Sequence, residues 1–461
     1  MNNIFEILTI TALILFLSLI LFYFAMGSFS LTKLNINSYL FYKDIILMTF
    51  IGVVLVVTQF DLIFGIRFWA ITGDVSNESR NIGWYAILYF LIAYPIGMMA
   101  SNLLFNYSIR SNQFERYLTK TVLNPYQLTN TSLLLSLFFF LLVSIASLLY
   151  VYISMESVPI IELLKGASFS DIQVSRTNAK LYFSGSPFIK DMIALKLPIL
   201  VSYALYVIIK TDKSKLSIIL FIVSFVTSVL ALAYNFEKAP VILYILGFFL
   251  ISVVINNGIK LKTLIIFGGL SFLFMLLLFI FLIGHSDFSQ ALEKLGGRLF
   301  IAQTSAIFLS FDYFPDKHEF LGGLSISGVL AKVFGVEYLR YGRVLFEIYD
   351  YPSVLNGEAG LIVGNFISEA WALWGIGGVI LSPLWVGFFV ASISNLIFRL
   401  PKNALFIALY AQIGSMLSLN GGMAVFVNII SFLIPVFYIA SILLFGFFIQ
   451  KLLFRKESSF C

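Results

Sequence analysis

Charged residues at the edges of long apolar runs are the parts of this sequence best suited to chemistry. Arg176 lies in the polar stretch SRTNAK, which follows the apolar segment VPIIELL, and Glu369 lies within the apolar segment ISEAWALW. A guanidinium group presents a planar fork of donors that matches a phosphate or diphosphate. An unpaired carboxylate in apolar surroundings is costly, so Glu369 needs a partner or a function. These residue types favour binding of an anionic group and transfer of a proton.

The same reasoning extends to other charges that border the apolar runs, and simpler explanations stay open for each. Arg176 could form a salt bridge with Asp171, and Glu369 could pair with an arginine. Lys196, one to two turns inside an apolar run, could extend to the membrane interface or face a polar cavity. The further candidates are Lys180, Glu237, Lys238, Arg298, Arg340 and Arg343.

Several kinds of chemistry have no support in the sequence. His285 and His318 are its two histidines and have no partner at metal-ligand spacing, and Cys461 is its single cysteine. A thiolate cluster and a HExxH site are therefore excluded. No phosphate-binding loop precedes a helix, and no DxD motif occurs in the segments assigned to the cytoplasm. We predict neither a metal nor a cofactor. If the substrate is a glycan, its donor is expected to be linked to a lipid and not to a nucleotide.

The elements that must position these residues are membrane helices. The chain of 461 residues is 60% hydrophobic and 11% charged, with a mean hydropathy of +0.99, whereas soluble domains carry about 25% charged residues. Long apolar runs indicate helices because every backbone amide must be hydrogen-bonded inside a bilayer. The sequence thus predicts an all-α polytopic protein, with one integral membrane domain over residues 1–461 and eleven spans: 4–26, 45–64, 84–105, 132–152, 192–209, 216–234, 239–255, 263–284, 376–398, 404–420 and 424–449.

Basic residues predict the orientation of these spans. One set of short loops holds fifteen lysines and arginines, including Lys33 and Lys43, and basic residues favour the cytoplasmic side. The net charge of +6 lies mainly in such loops, so we expect no nucleic-acid partner. Two large extracytoplasmic loops follow, 153–191 and 285–375, with Glu237 and Lys238 in a short break on the same side. We expect the chemistry outside the cytoplasm.

Local patterns within the two large loops predict shorter elements. VPIIELLKG is typical of a re-entrant or interfacial helix, and SRTNAK of a polar segment. Residues 298–311 have helical periodicity but are too short and polar for a span, so we expect an amphipathic helix on the membrane surface. FLGG at 320–323 and LNGEAG at 355–360 are turn signals.

The layout and four segments resemble the Wzy-type oligosaccharide repeat unit polymerases, which assemble O-antigen, common antigen and capsule chains. The architecture resembles theirs over most of the chain. The segments are VPIIELL followed by Arg176; NFEKAPVILYI, with Lys238 where the family usually has arginine; GGRLFIAQ with FLGGLSISGVL; and GEAGLIVGNFISEAWALWGIGG, with Trp374 where phenylalanine is common.

The resemblance implies a GT-C-like membrane glycosyltransferase in the bacterial cytoplasmic (inner) membrane, with its active site facing the periplasm or exterior. It would transfer an undecaprenyl-diphosphate-linked chain to another lipid-linked repeat unit. Fixed cations would stabilise the departing lipid diphosphate, and the carboxylate of Glu369 or Glu237 would assist the attacking hydroxyl. The implied catalytic residues are Arg176, Arg298 and Glu369, and the implied substrate-binding residues are Lys180, Lys196, Glu237, Lys238, Arg340 and Arg343.

The implied partners are lipid-linked oligosaccharides, membrane lipids and a chain-length-determinant co-polymerase. Two alternative functions fit a polytopic chain of this kind. A flippase or transporter of lipid-linked oligosaccharide is expected to have more evenly spaced spans and short loops on both sides. An O-antigen ligase usually depends on a histidine in its large outer loop, which His318 could supply.

Overall fold

A computed structural model describes residues 4–60, 72–73, 75–107, 113–123, 128–167, 169–181, 183–235, 238–283, 288–355 and 360–454. The structure is 79% helical and contains no strand within these ranges. The helices are α1 (Ile4–Ala25), α2 (Ile36–Val57), α3 (Asn77–Leu104), α4 (Gln113–Thr119), α5 (Asn130–Ile153), α6 (Pro159–Leu164), α7 (Phe169–Leu181), α8 (Ile189–Thr211), α9 (Lys215–Leu232), α10 (Lys238–Ile255), α11 (Leu261–Ile283), α12 (Phe288–Gly296), α13 (Ala302–Tyr313), α14 (Gly328–Val333), α15 (Tyr341–Tyr349), α16 (Tyr351–Leu355), α17 (Phe366–Arg399), α18 (Ala404–Met416), α19 (Ala424–Val427) and α20 (Ile430–Phe454).

Membrane-crossing helices dominate the fold. Among the described residues, eight helices are long and apolar enough to span a bilayer, namely α1, α2, α3, α5, α8, α9, α17 and α20. The remaining three predicted spans overlap the shorter apolar stretches Ala239–Ile255, Leu261–Leu270 and Ala404–Met416. The prediction of an all-α polytopic membrane protein is therefore confirmed, while the count of eleven spans and the GT-C fold stay predictions.

The ends of these helices follow from local sequence. Ser76, Thr129 and Ser214 each accept the N–H of the residue three positions later, which satisfies a free donor at the starts of α3, α5 and α9. Gly375 has a φ of 59° and interrupts α17 with a kink, so the helix that was predicted to begin at 376 gains a preceding segment from Phe366. The segment that separates α18 from α19 contains Asn420, Gly421 and Gly422.

The described helices group into two compact units, each made of non-contiguous segments. The first unit comprises Met1–Glu115, Ile259–Leu396 and Leu417–Asn428. Within it, α3 and α17 run in parallel, as the contacts Tyr89–Ile380 and Ser101–Ser392 show. Their backbones approach closely at Gly97, where a Cβ would lie 2.1 Å from the Leu384 carbonyl oxygen. Small residues at such a crossing allow membrane helices to pack tightly.

The second unit comprises Arg116–Gly258, Ile397–Met416 and Ile429–Cys461. Its centre is α8, whose residues from Leu197 to Leu205 are all buried among α5, α9, α10 and α18. Tyr203 stacks on Tyr244 and donates its hydroxyl to the Tyr244 carbonyl oxygen at 2.7 Å. A buried phenol needs such a partner because an unsatisfied hydroxyl is costly in apolar surroundings.

Contacts within each unit join segments that the charge distribution assigns to the same side. Ile259 donates its N–H to the Thr32 carbonyl oxygen at 2.9 Å, and Lys402 donates to that of Leu118 at 2.7 Å; all four residues lie in segments predicted to be cytoplasmic. The segments predicted to lie outside are joined by Ser76 with Asp312 and by Arg176 with Asn235. These contacts fit the alternation of spans, and the cytoplasmic orientation remains a prediction.

Two local expectations differ from the structure. Residues Thr304–Tyr313 of α13 are buried around the whole helix, so the expected amphipathic surface helix at 298–311 is instead part of a core. Lys43, counted among the loop residues, lies in α2 beside Asp44. In each case side-chain contacts with distant segments, which local periodicity does not encode, decide the structure.

Candidate functional site

Glu369 lies at the start of α17 and is held by the backbone of a distant segment. Its side chain is buried, with 6% of the residue exposed, and its Oε2 accepts the Ala424 N–H at 2.9 Å. Gly422 adopts a φ of +88°, and a Cβ there would lie 2.6 Å from Glu369 Oε2. The carboxylate therefore packs against a turn that only glycine makes without strain.

A tyrosine and an arginine from the second large loop lie beside this carboxylate. The Tyr341 hydroxyl oxygen accepts the Ser368 hydroxyl at 3.2 Å and the Gly364 N–H at 3.3 Å. Arg340 is exposed, and its positive charge acts on both Tyr341 and Glu369. Burial, followed by the charge of Glu369, raises the pKa of the Tyr341 phenol, so this group is neutral at physiological pH.

A second buried carboxylate holds the other end of the same turn. Asp44 is fully buried in the π-helical part of α2, Phe41–Phe50, and its Oδ2 accepts the Leu419 N–H at 2.8 Å. Lys43 Nζ lies 3.3 Å from Asp44 Oδ1 and balances its charge. π-helical turns are rare in proteins overall, and those that do occur often lie at functional sites.

Neutral polar side chains complete the network between these two carboxylates. Thr49 donates its hydroxyl to Asn420 Oδ1 at 3.3 Å, and Asn365 donates to Thr49 Oγ1 at 3.4 Å. Phe366, the first residue of α17, donates its N–H to the Leu419 carbonyl oxygen at 2.9 Å. The start of α17, which carries Glu369, is therefore fixed by hydrogen bonds to both α2 and the segment after α18.

An apolar groove opens beside this network. Its volume is about 900 Å³, and it lies between α3 and α17. Met423 lines the groove and directly precedes Ala424, whose N–H is held by Glu369. A cavity of this size and composition suits a long hydrocarbon chain. The lining residues used below are Gly97, Trp374, Gly377, Leu381, Trp385 and Met423.

The other predicted cations of the first unit have different surroundings. Arg298 is exposed on the π-helical turn Gly297–Ile301, which packs closely on α2: a Cβ at Gly52 would lie 1.9 Å from the Phe300 carbonyl oxygen. Arg343 Nε lies 2.6 Å from Glu347 Oε1, and its guanidinium lies 5.6 Å from the centre of the Phe346 ring. The charge of Arg343 is thus engaged along the surface of α15.

Arg176 and Lys196 are the predicted site residues of the second unit whose side chains the structure describes. Arg176 is half-buried in α7 and donates Nε to the Asn235 carbonyl oxygen at 3.2 Å. Lys196 interacts electrostatically with Asp191, and its carbonyl oxygen accepts Gln412 Nε2 at 2.9 Å. Arg176 therefore contacts the NFEK segment. This contact agrees with the prediction that Arg176 and Asn235 both lie on the extracytoplasmic side.

The structure does not describe the side chains of three predicted site residues in the second unit. Lys180 lies near the end of α7 and Lys238 begins α10, but their side chains lie outside the described part of the structure. Glu237 lies outside the described residues altogether. His285, the histidine near the start of the second large loop, also lies outside them.

A third buried carboxylate ties the outer segments of the first unit together. Asp312 Oδ1 accepts the Ser76 N–H at 3.0 Å and the Ser79 hydroxyl at 3.2 Å. Its Oδ2 accepts the Tyr349 hydroxyl at 3.1 Å and pairs with Lys317. Asp312 therefore joins the cap of α3 to the C-terminal end of α13 and to α15.

Sequence reasoning missed Asp44, Asp312 and Tyr341. Asp44 directly precedes the predicted span 45–64, and its neighbour Lys43 was assigned to a loop. The available signal was a carboxylate within the apolar segment INSYLFYKDIILMTF, which is costly unless it is used. Asp312 and Tyr341 give no local signal because their partners are distant in sequence.

Replacing Asp312 with asparagine is expected to lower the free energy of unfolding by about 1.5–3 kcal/mol, the range for a hydrogen bond to a charged group. Burial alone would raise the pKa of the Asp312 carboxyl, but hydrogen bonds from Lys317, Ser76 and Tyr349, with the charge of Lys317, outweigh burial and lower this pKa. The stabilisation is therefore present above the unfolded-state pKa of about 3.9 and is lost as the pH falls through the folded-state value.

Thermal unfolding of the detergent-solubilised protein would measure this difference. Asp316→Asn is the matched control because Asp316 is an exposed neighbour. The difference between wild-type and Asp312→Asn protein should shrink as the pH falls below about 4. Equal unfolding temperatures at neutral pH would show that Asp312 does not stabilise the fold.

No metal-binding cluster was found among the described residues: no three His, Cys, Asp or Glu side chains there are arranged to hold an ion. Comparisons with known proteins identify no relative. No protein-family model, curated protein or solved structure matches the chain.

Proposed function

We propose that this protein is a membrane glycosyltransferase that polymerises undecaprenyl-diphosphate-linked oligosaccharide repeat units into a surface polysaccharide. One observation carries the proposal: an apolar groove begins beside a buried carboxylate, Glu369, on which the charge of Arg340 acts. A lipid diphosphate substrate requires a hydrocarbon-binding surface and a cation close together, and glycosyl transfer adds the need for a base.

The proposed reaction uses these groups in one displacement. The hydroxyl oxygen of the acceptor sugar attacks the anomeric carbon of the lipid-linked chain, and the bond from that carbon to the diphosphate oxygen breaks. The hydroxyl proton passes to Glu369, and the electron pair leaves with the lipid diphosphate. Arg340 lies close enough to act electrostatically at the site, and a fixed cation at a developing negative charge contributes about 3–4 kcal/mol. Arg176 and Arg298 remain proposed diphosphate ligands.

Transport of lipid-linked oligosaccharide is the second candidate, and one feature favours it. The chain between α18 and α19 is non-helical from 417 to 423, lies between apolar helices and is held by Asp44 and Glu369. Irregular backbone at membrane depth usually lines a substrate or ion pathway. The groove beside Glu369 favours the polymerase, because a base next to a lipid-binding surface serves glycosyl transfer directly.

Glycan profiling of a gene-deletion strain tests the proposal. A polymerase predicts that surface glycan collapses to a single repeat on its acceptor, and that wild-type protein restores the long chains. Arg176→Ala and Arg298→Ala, if present in the membrane at normal levels, should fail to restore them. Accumulation of lipid-linked repeats on the inner leaflet would support transport instead, and unattached lipid-linked polymer would support a ligase. Normal chain lengths in the deletion strain would refute the polymerase.

A further inference from the structure

An exposed apolar surface lies in the second large loop, outside the eight candidate spans. It is formed by α14 and the residues that follow it, and we name it the 329–338 surface. Val329 and Val333 are each 72% exposed and Phe334 is 63% exposed. Exposed apolar clusters of this kind mark interaction sites. The members are Val329, Leu330, Val333, Phe334, Val336 and Tyr338.

The opposite face of this segment is packed on the protein. Ala331 is fully buried, and Ser325 and Ile326 just before α14 are also buried. The Val336 N–H donates to the Ala331 carbonyl oxygen at 3.0 Å, which closes the end of the helix. The segment is therefore an ordered element with one docked face and one apolar face that the rest of the described chain leaves open.

Hydrogen bonds to α17 fix the position of residues 314–321, which precede α14, relative to the membrane. Leu321 donates its N–H to the Ala372 carbonyl oxygen at 2.9 Å, and Trp371 Nε1 donates to that of Phe314 at 3.0 Å. Residues 314–321 therefore lie beside the first two turns of α17, just before the Gly375 kink.

The length of α17 places those turns at the edge of the bilayer. Residues 376–399 form 24 helical positions, about 36 Å at 1.5 Å per residue, and this already exceeds a hydrocarbon core of about 30 Å. Ile376 and Leu381 are each 66% exposed, as expected for side chains facing lipid. Trp371 and Ala372 lie within four residues of the kink at which this helix begins, so residues 314–321 lie at this edge of the bilayer.

We propose that the 329–338 surface inserts into the headgroup–acyl boundary of the leaflet in which α17 begins. Its composition fits this partner: apolar side chains reach the acyl chains, and Phe334 and Tyr338 are the residue type that collects at membrane interfaces. Lys332, exposed within the same helix, can keep its ammonium group among the phosphates. The role of this surface does not depend on the proposed enzymatic activity.

Fluorescence quenching in reconstituted vesicles tests this insertion. Cys461→Ser removes the single cysteine, and Phe334→Cys then introduces one labelling site for an environment-sensitive fluorophore. In phosphatidylcholine–phosphatidylglycerol vesicles, a nitroxide lipid labelled near the headgroup should quench the Phe334 position more strongly than a nitroxide deep in the acyl chain, as expected for a residue seated at the interface. Aqueous iodide should quench it weakly.

Two further positions calibrate the result. Leu381→Cys on α17 should be quenched best by a nitroxide deep in the acyl chain, because Leu381 faces the hydrocarbon region. Glu337→Cys, an exposed neighbour within the same segment, should respond more strongly to iodide than Phe334→Cys does. Iodide quenching of Phe334 without lipid quenching would overturn the proposal. Protection from both quenchers would overturn it as well, because the surface would then be covered by protein.

Discussion

Replacing Glu369 with glutamine is expected to lower the yield of extended polymer by about 100- to 10,000-fold, the contribution of a positioned general base. Glutamine retains a side-chain oxygen that can accept the Ala424 N–H, so the turn at Gly422 should persist. The amide cannot take the proton from the attacking hydroxyl. Polymer ladders from the deletion strain complemented with Glu369→Gln would measure the loss.

Glu347→Gln is the matched control for this experiment. Glu347 is an exposed carboxylate in the same outer segment, and it pairs with Arg343 along the surface of α15. We expect wild-type chain lengths from this variant. The amount of each protein in the membrane must also match wild type. Normal ladders from Glu369→Gln at normal abundance would show that Glu369 is not the base.

Filling the groove at Gly377 is expected to reduce polymer yield at least tenfold. An ideal Cβ on Gly377 meets no heavy atom within 4 Å, although this residue lines the groove. A phenylalanine side chain at 377 would therefore occupy the groove without displacing the helix, and it would compete with the hydrocarbon chain of the substrate. The ladder assay, with membrane abundance measured in parallel, would detect this block.

Two substitutions separate a blocked groove from a disturbed helix. Gly377→Ala adds one methyl group to the same position and should leave most of the activity. Gly269→Leu places a large side chain on α11, where the space around Gly269 is also open, and should have no effect. Equal activity of Gly377→Phe and wild type would exclude the groove as the lipid-binding surface. A loss in Gly269→Leu of similar size would indicate a general effect of bulky residues.

The membrane helices were predictable because their signal is local. A run of apolar residues is enough to predict each span. The kink in α17 and the break after α18 lie at glycines, which are visible in the sequence as Gly375, Gly421 and Gly422. The predicted start of one span at 376 differs from the kink by a single residue. Glu369 was identifiable as well, since a carboxylate in an apolar segment is conspicuous.

The partners of these residues were not predictable from one sequence. Glu369 accepts a hydrogen bond from a residue 55 positions away, and Asp312 from one 236 positions away. Periodicity carries no information on such separations. Lys43 was assigned to a short loop because basic residues mark the segments between predicted spans. Inside α2, Lys43 and Asp44 form a close pair that lowers the cost of burying either charge.

The pairing of Lys43 with Asp44 also has a consequence for biosynthesis. The amide that Asp44 accepts belongs to Leu419, which is 375 residues later in the chain. At about 5–20 residues per second, the ribosome needs roughly 20–75 s to make that stretch. During this interval α2 has to reside in the bilayer without its final partner, and an adjacent ammonium group supplies a counter-charge from the moment of insertion. Lys43 can therefore balance the charge of Asp44 while the C-terminal helices are still being synthesised.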